Sequence, residues 1–237
     1  MIAITGLIKS YGARRVLDGL ELEARAGAVT LLVGANGCGK STTMRLIAGL
    51  SSPDRGAIAV MGHPIATQRT EALTALSYLP QSPRFHAQLT AGQILEFYAR
   101  LRGLPLSRAE SAAERWGLAG SRGVPCGRLS GGMQQRLALA ILFMPDAPVL
   151  ALDEPGLSLD PDWRRFLQGE LRTAARRGRT VLVSTHLLGE WDEHADRCLV
   201  LEGGRIGREL PPDHLRDAFP FSLPRPARMS VAEGGRR

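Results

Sequence analysis

Four short apolar runs, residues 29–33, 149–152, 181–184 and 198–201, are barely interrupted by polar side chains. Runs of this length, rich in Val and Leu, predict strands covered on both faces, as in a parallel sheet buried between other layers. Residues 2–7, 16–24 and 57–61 also read as strands, with Tyr11-Gly12 and Gly62-His63-Pro64 as turn punctuation. Between about residues 83 and 144 the pattern changes to a helical one with no convincing strand. Thr90 is suited to cap a helix whose apolar positions Ile94, Phe97, Tyr98 and Leu101 follow the i, i+3, i+4, i+7 rhythm of a core-facing stripe, and Gly103 is a natural stop. Ser107 followed by Glu110 predicts a capping box that opens a second helix running towards Trp116 and ending at Gly117. After Gly207 the pattern decays. Pro211, Pro212, Pro220, Pro224 and Pro226 then disfavour regular structure, which leaves residues 1–220 as one domain and 221–237 as an expected disordered tail. The tail is basic, with Arg225, Arg228, Arg236 and Arg237 against Glu233.

Length and composition narrow the options. A chain of 237 residues can bury a substantial α/β core. Its apolar stretches fall well short of the roughly 20 residues that span a bilayer as a helix. The opening Met1-Ile2-Ala3-Ile4-Thr5 lacks the features of a secretory signal, so a cytoplasmic location is expected. Cys38, Cys126 and Cys198 are widely spaced without a CxxC pair, which suggests neither a disulfide framework nor a zinc site. The formal charge of +7 leaves the domain only mildly basic. Attraction to anionic lipid headgroups suits that balance, and no specific nucleic-acid partner is expected.

One segment carries explicit chemistry. Gly34-Ala35-Asn36-Gly37-Cys38-Gly39-Lys40-Ser41 fits GxxxxGK[ST], follows an apolar strand and precedes a helical run over residues 42–50. Gly34, Gly37 and Gly39 let successive backbone N–H groups converge on an anion, and the following helix adds its positive end, with Asn36, Cys38 and Thr42 as neighbouring contacts. Of the 30 basic residues only Lys9 and Lys40 are lysines. Lys40 falls where a compact ammonium can slip between phosphate oxygens and a broad guanidinium cannot. Cys38 reads as a small tolerated residue with a thiol open to alkylation.

With this cradle, further motifs in order resemble the nucleotide-binding subunit of ABC transporters over roughly residues 1–219. Leu129-Ser130-Gly131-Gly132-Met133-Gln134 looks like the ABC signature, and Val149-Leu150-Ala151-Leu152-Asp153-Glu154 resembles Walker B. The resemblance implies an α/β fold: a P-loop NTPase core with a mostly parallel sheet, an N-terminal antiparallel β-subdomain and an inserted helical subdomain. It implies ATP and Mg²⁺ as cofactors. Lys40 would neutralise the β- and γ-phosphates, and Ser41, Gln81 and Asp153 would surround the metal. Glu154 would polarise the attacking water, His186 would act as the switch histidine, and Tyr11 would stack on adenine. Ser130, Gly131 and Gly132 would grip the γ-phosphate held by a second copy of the cassette, and Ser158-Leu159-Asp160 would form the D-loop at that boundary. Gly156 departs from the family's usual Thr after Glu-Pro. The implied partners are an integral-membrane permease and a second cassette, with the chain peripheral on the cytoplasmic face. The runs Tyr78-Leu79-Pro80-Gln81 and Phe97-Tyr98-Ala99-Arg100-Leu101-Arg102-Gly103 look like cassettes of ABC-2-type exporters, including those of copper-site maturation for nitrous-oxide reductase. The rival class is a soluble ABC ATPase acting on the ribosome or DNA. A single cassette with a compact insertion fits that class less well.

Overall fold

A computed structural model describes residues 1–186, 191 and 194–211. Its elements, in chain order, are β1 (Ile2–Tyr11), β2 (Arg14–Ala24), β3 (Val29–Val33), α1 (Lys40–Ile47), β4 (Arg55–Val60), β5 (His63–Pro64), α2 (Arg69–Thr74), β6 (Leu76–Leu79), α3 (Ala91–Leu101), α4 (Leu106–Arg115), α5 (Gly131–Phe143), β7 (Val149–Asp153), α6 (Pro161–Arg176), β8 (Thr180–Ser184), β9 (Arg197–Glu202) and β10 (Arg205–Leu210). One sheet has the order β2-β1-β4-β5 and is antiparallel. The other has the order β10-β9-β3-β8-β7-β6, parallel except for the edge strand β10. The expected tail, residues 221–237, lies outside the described residues.

The apolar runs are uninterrupted because both faces of the parallel sheet are covered. Leu31, Val33, Leu150, Leu152, Val181 and Val183 face a core shared with α3, α4, α5 and α6. Leu32, Val149, Ala151 and Leu182, one register step away, face a second core with Ile2, Leu20, Met44 and Ile47. The parallel sheet is therefore pinned between the helical segment on one side and α1 with the antiparallel sheet on the other.

Three local expectations fail for identifiable reasons. On α3, Phe97 is 55% exposed and Leu101 65% exposed. The buried stripe is Ala91, Ile94, Leu95 and Ala99, a spacing of four centred on small residues that allow close approach. A side chain at Gly92 would already meet the Arg122 carbonyl at 3.1 Å. The expected capping box at Ser107 is absent. Helix α4 starts at Leu106 after an extended Pro105, whose fixed φ suits a helix start, and Glu110 reaches Arg122 at 3.6 Å. Finally, regular structure continues past Gly207, since β10 runs to Leu210. As an edge strand it carries ion pairs, Arg208 to Glu202 at 2.9 Å and Arg197 to Glu209 at 2.7 Å, in place of the apolar alternation that would betray it in sequence. Thr90 does cap α3, with a complete capping box to Gln93.

Candidate active site

The loop from Gly34 to Gly39 leaves β3 and turns into α1 under tight steric control. At Gly34 (φ +153°) an added Cβ would lie 2.5 Å from the Leu201 carbonyl oxygen and 2.8 Å from Cys38 Sγ. At Gly39 (φ +117°), the N-cap of α1, it would strike Leu17 at 2.8 Å. Only glycine satisfies both the dihedral angle and the space at these positions. Thr43 locks the first helical turn by donating from Oγ1 and from its N–H to the Gly39 carbonyl at 3.0 and 2.8 Å. Ser41 and Thr42 are thereby fixed in the first turn of α1, where a helix leaves N–H groups unpaired and able to receive an anion. Asn36 and Gly37 are exposed at the loop tip, and Arg14 Nη2 donates to the Gly37 carbonyl at 3.3 Å. Lys40 is only 7% exposed and donates to the carbonyls of Gly34 at 2.8 Å and Ala35 at 3.3 Å. Its ammonium is held over the loop by dipoles alone; among the described residues it has no ion-pair partner.

A second group converges on the same edge of the sheet, because β8 runs between β3 and β7. Asp153 ends β7 and is 2% exposed. Its Oδ1 accepts a hydrogen bond from Ser184 Oγ, at the matching end of β8. Glu154 follows at φ +49°, an αL conformation that costs a non-glycine residue about 1–3 kcal/mol and persists only where its surroundings impose it. Here they do. The Glu154 N–H donates to the Ser184 carbonyl at 3.0 Å, and its carboxylate, 5% exposed, accepts from the His186 N–H at 3.3 Å and lies 2.9 Å from His186 Nδ1. The turn carries the Glu154 side chain away from the strand and onto His186. Thr185, between Ser184 and His186, donates its N–H to the Leu32 carbonyl at 3.2 Å, which ties this group to the strand that feeds the cradle. Beside Asp153, the Tyr78 phenol is pushed up to about 12 by burial first and by the Asp153 carboxylate second, so it stays neutral. Gln81 is exposed just after β6. Tyr11 is exposed at the tip of the β1–β2 hairpin, paired in register with Arg14, and Lys9 Nζ lies 5.5 Å from its ring centroid.

Ser130, Gly131 and Gly132 lie in the other layer, at the start of α5. Ser130 is the N-cap and accepts from the Met133 N–H at 3.2 Å, so the helix begins at Gly131. Two links join this helix to the segment after Glu154: Gln135 Nε2 donates to the Pro155 carbonyl at 2.8 Å, and a side chain at Gly132 would meet the Ser158 carbonyl at 3.0 Å. Asp160 caps α6 by accepting from the Trp163 N–H at 3.0 Å, with Pro161 in the first helical position.

The ABC transporter family profile matches residues 17–156, more than half of the chain, from within β2 to just past Glu154. The chain belongs to the ABC transporter family. The Nod factor export ATP-binding protein I of Sinorhizobium fredii is 38% identical over 220 residues, covering 91% of this chain and 64% of that protein. The daunorubicin resistance ATP-binding protein DrrA3 of Streptomyces coeruleorubidus is 36% identical over 219 residues, covering 91% of this chain and 69% of that protein. Among solved structures, an ATP-binding subunit of an ABC transporter superposes with a TM-score of 0.84 at 28% identity, covering 94% of this chain and 95% of that one. The fold is accordingly the P-loop NTPase fold of ABC cassettes, with the antiparallel sheet at its N-terminal side.

Within this ABC cassette, sequence reasoning overlooked residues that act through others. Ser184 holds Asp153, Gln135 holds Pro155, and Arg14 braces the cradle at Gly37. The only sequence signal for Ser184 is a polar side chain closing the apolar run Val181-Leu182-Val183. Gln135 had a comparable signal, a polar residue on the buried face of α5.

Proposed function

We propose that this chain is the ATP-hydrolysing subunit of an exporter-type ABC transporter, working as a head-to-tail pair of cassettes on the cytoplasmic face of a membrane and driving a separate permease. The observation that carries the reading is Glu154, fixed in an αL turn directly after β7 with its carboxylate in hydrogen-bond reach of His186. A base that must orient a water needs such a fixed carboxylate. The name of one relative, a Nod factor export ATP-binding protein, supports export. No helix among the described residues is long and apolar enough to cross a membrane.

The donor set suits Mg²⁺ bound together with nucleotide. Among the described residues no group of three or more His, Cys, Asp or Glu forms a self-sufficient metal site. A cation here would take most of its ligands from phosphate oxygens and water, which is the habit of Mg²⁺. Ser41, Gln81 and Asp153 would hold it, and when bound it would neutralise charge on the β- and γ-phosphates. Lys40 exchanges its carbonyl partners for phosphate oxygens, and the first-turn N–H groups of α1 complete the grip. Tyr11 offers a ring face to the base. Ser130, Gly131 and Gly132 meet the γ-phosphate bound by the partner copy, and Asp160 meets the partner across the same boundary. Glu154 orients the attacking water, and His186 steers both Glu154 and the γ-phosphate. Loss of that phosphate releases the pair, an order–release switch transmitted to the permease through Gln81 and the segment that follows.

Replacing Glu154 by Gln keeps the turn and removes the charge. Turnover is expected to fall by about 100-fold or more, while ATP stays bound and the ATP-bound pair accumulates on size-exclusion chromatography. Undiminished phosphate release by the variant would refute the role given to Glu154.

A further inference from the structure

Ser184 is buried and closes β8 directly opposite Asp153 in the register between β8 and β7. A serine hydroxyl has one proton to give and two lone pairs to offer. Here the proton goes to Asp153 Oδ1, and the oxygen also accepts from the Glu154 N–H at 3.2 Å. One hydroxyl therefore touches both acidic residues at the strand end.

The two contacts differ in what depends on them. The Glu154 N–H also donates to the Ser184 backbone carbonyl at 3.0 Å, so the Glu154 turn survives loss of the hydroxyl. Asp153 Oδ1 has no such backbone substitute at Ser184. Its contact fixes the rotation of the carboxylate about its last side-chain bond and decides which oxygen is left for a cation. Residues that orient a metal ligand in this way set metal affinity even though they never touch the ion.

We propose that Ser184 is a positioning residue for Asp153, setting the affinity of the site for the divalent cation that accompanies nucleotide while leaving nucleotide binding itself largely alone. This rests on the reading of Asp153 as a metal ligand. A serine that merely fills the core would act on stability and on all nucleotide binding alike.

The test titrates a fluorescent ADP analogue into the purified chain, with a magnesium series and with EDTA, for the wild type, Ser184→Ala, Asp153→Ala and the double variant. In Ser184→Ala the magnesium concentration for half-maximal enhancement of binding should rise about tenfold. Affinity in EDTA should stay within about twofold, because the cradle is untouched, and the melting temperature reports whether the fold is intact. In the Asp153→Ala background, removing the hydroxyl should change magnesium dependence no further. Ser184→Thr, which keeps the hydroxyl, should restore it; if the added methyl unfolds the chain, the double variant decides. An unchanged magnesium requirement in Ser184→Ala, an equal loss in EDTA, or additive losses in the double variant would each overturn the proposal. A wild-type chain that binds no nucleotide under any condition would instead overturn the broader reading of the site.

Discussion

The edge of the parallel sheet and the start of α5 both present glycine-rich turns leading into helices, yet they are built in opposite ways. At the sheet edge Asp153, Glu154, Ser184 and Lys40 are buried and each is bonded: Asp153 to Ser184, Glu154 to the exposed His186, Lys40 to two loop carbonyls. Burying such groups is costly without partners, so the chain itself fixes their positions before any ligand arrives. At α5, Ser130 and Gly131 are exposed, and the Ser130 hydroxyl makes one bond, to its own helix. The first region is preassembled. The second is a helix terminus with free capacity for an acceptor, the design expected of a surface completed by another molecule.

The strongest way to break this contrast is at Lys40. A buried ammonium satisfied only by carbonyl dipoles lacks a counter-charge that a phosphate would supply. Lys40→Ala should weaken nucleotide binding by about 100-fold, the loss of one or two charge-assisted bonds, as measured by titration with a fluorescent ATP analogue. Because the variant also removes a buried charge without an ion-pair partner, it should melt no lower than the parent. A drop of several degrees would mean that the lysine serves the fold, and the sheet edge would lose its claim to be a preformed ligand site.

A smaller effect sharpens the other half. Ser130→Ala should cost about 1 kcal/mol of stability through loss of the cap, seen in urea denaturation. Nucleotide affinity of the isolated chain should be unchanged, while turnover of the proposed pair falls. If affinity in the isolated chain fell in step with turnover, the start of α5 would belong to the same preassembled unit as the sheet edge, and the contrast would fail.

What could be read from the sequence follows the same division. Four of the five parallel strands and the cradle were legible because their constraints are local: a strand buried on both faces is mostly apolar, and Gly34 and Gly39 are demanded by dihedral angles and by clashes with Leu201 and Leu17; β6 was not, since Ser77 and Tyr78 break its apolar run. Features set by tertiary contact were not legible. Which side of α3 is buried depends on where small residues meet the turn at Arg122, so the large side chains Phe97 and Leu101 pointed to the wrong face. Ser107 and Glu110 had the spacing of a capping box, but Pro105 started the helix earlier and Arg122 drew Glu110 away. Ser184 needed the register of β8 against β7 before its hydroxyl could be set beside Asp153. Motif order named the candidate residues, and strand register shows what holds Asp153.

The exposed face of α3 supplies the smallest test and the one most at odds with hydrophobic patterning. Phe97 has little burial to lose, and its ring makes an edge-on approach to Tyr98 with ring centroids 5.3 Å apart. Phe97→Ser should therefore change stability by no more than about 1 kcal/mol, and nucleotide affinity should be untouched, since the cradle is bounded by β3, α1 and the β1–β2 hairpin. Urea denaturation of the isolated chain decides the matter. A loss of several kcal/mol, the range of a core aromatic truncated to a small residue, would mean that this ring is covered in solution and that the buried stripe of α3 is the one its large residues advertise.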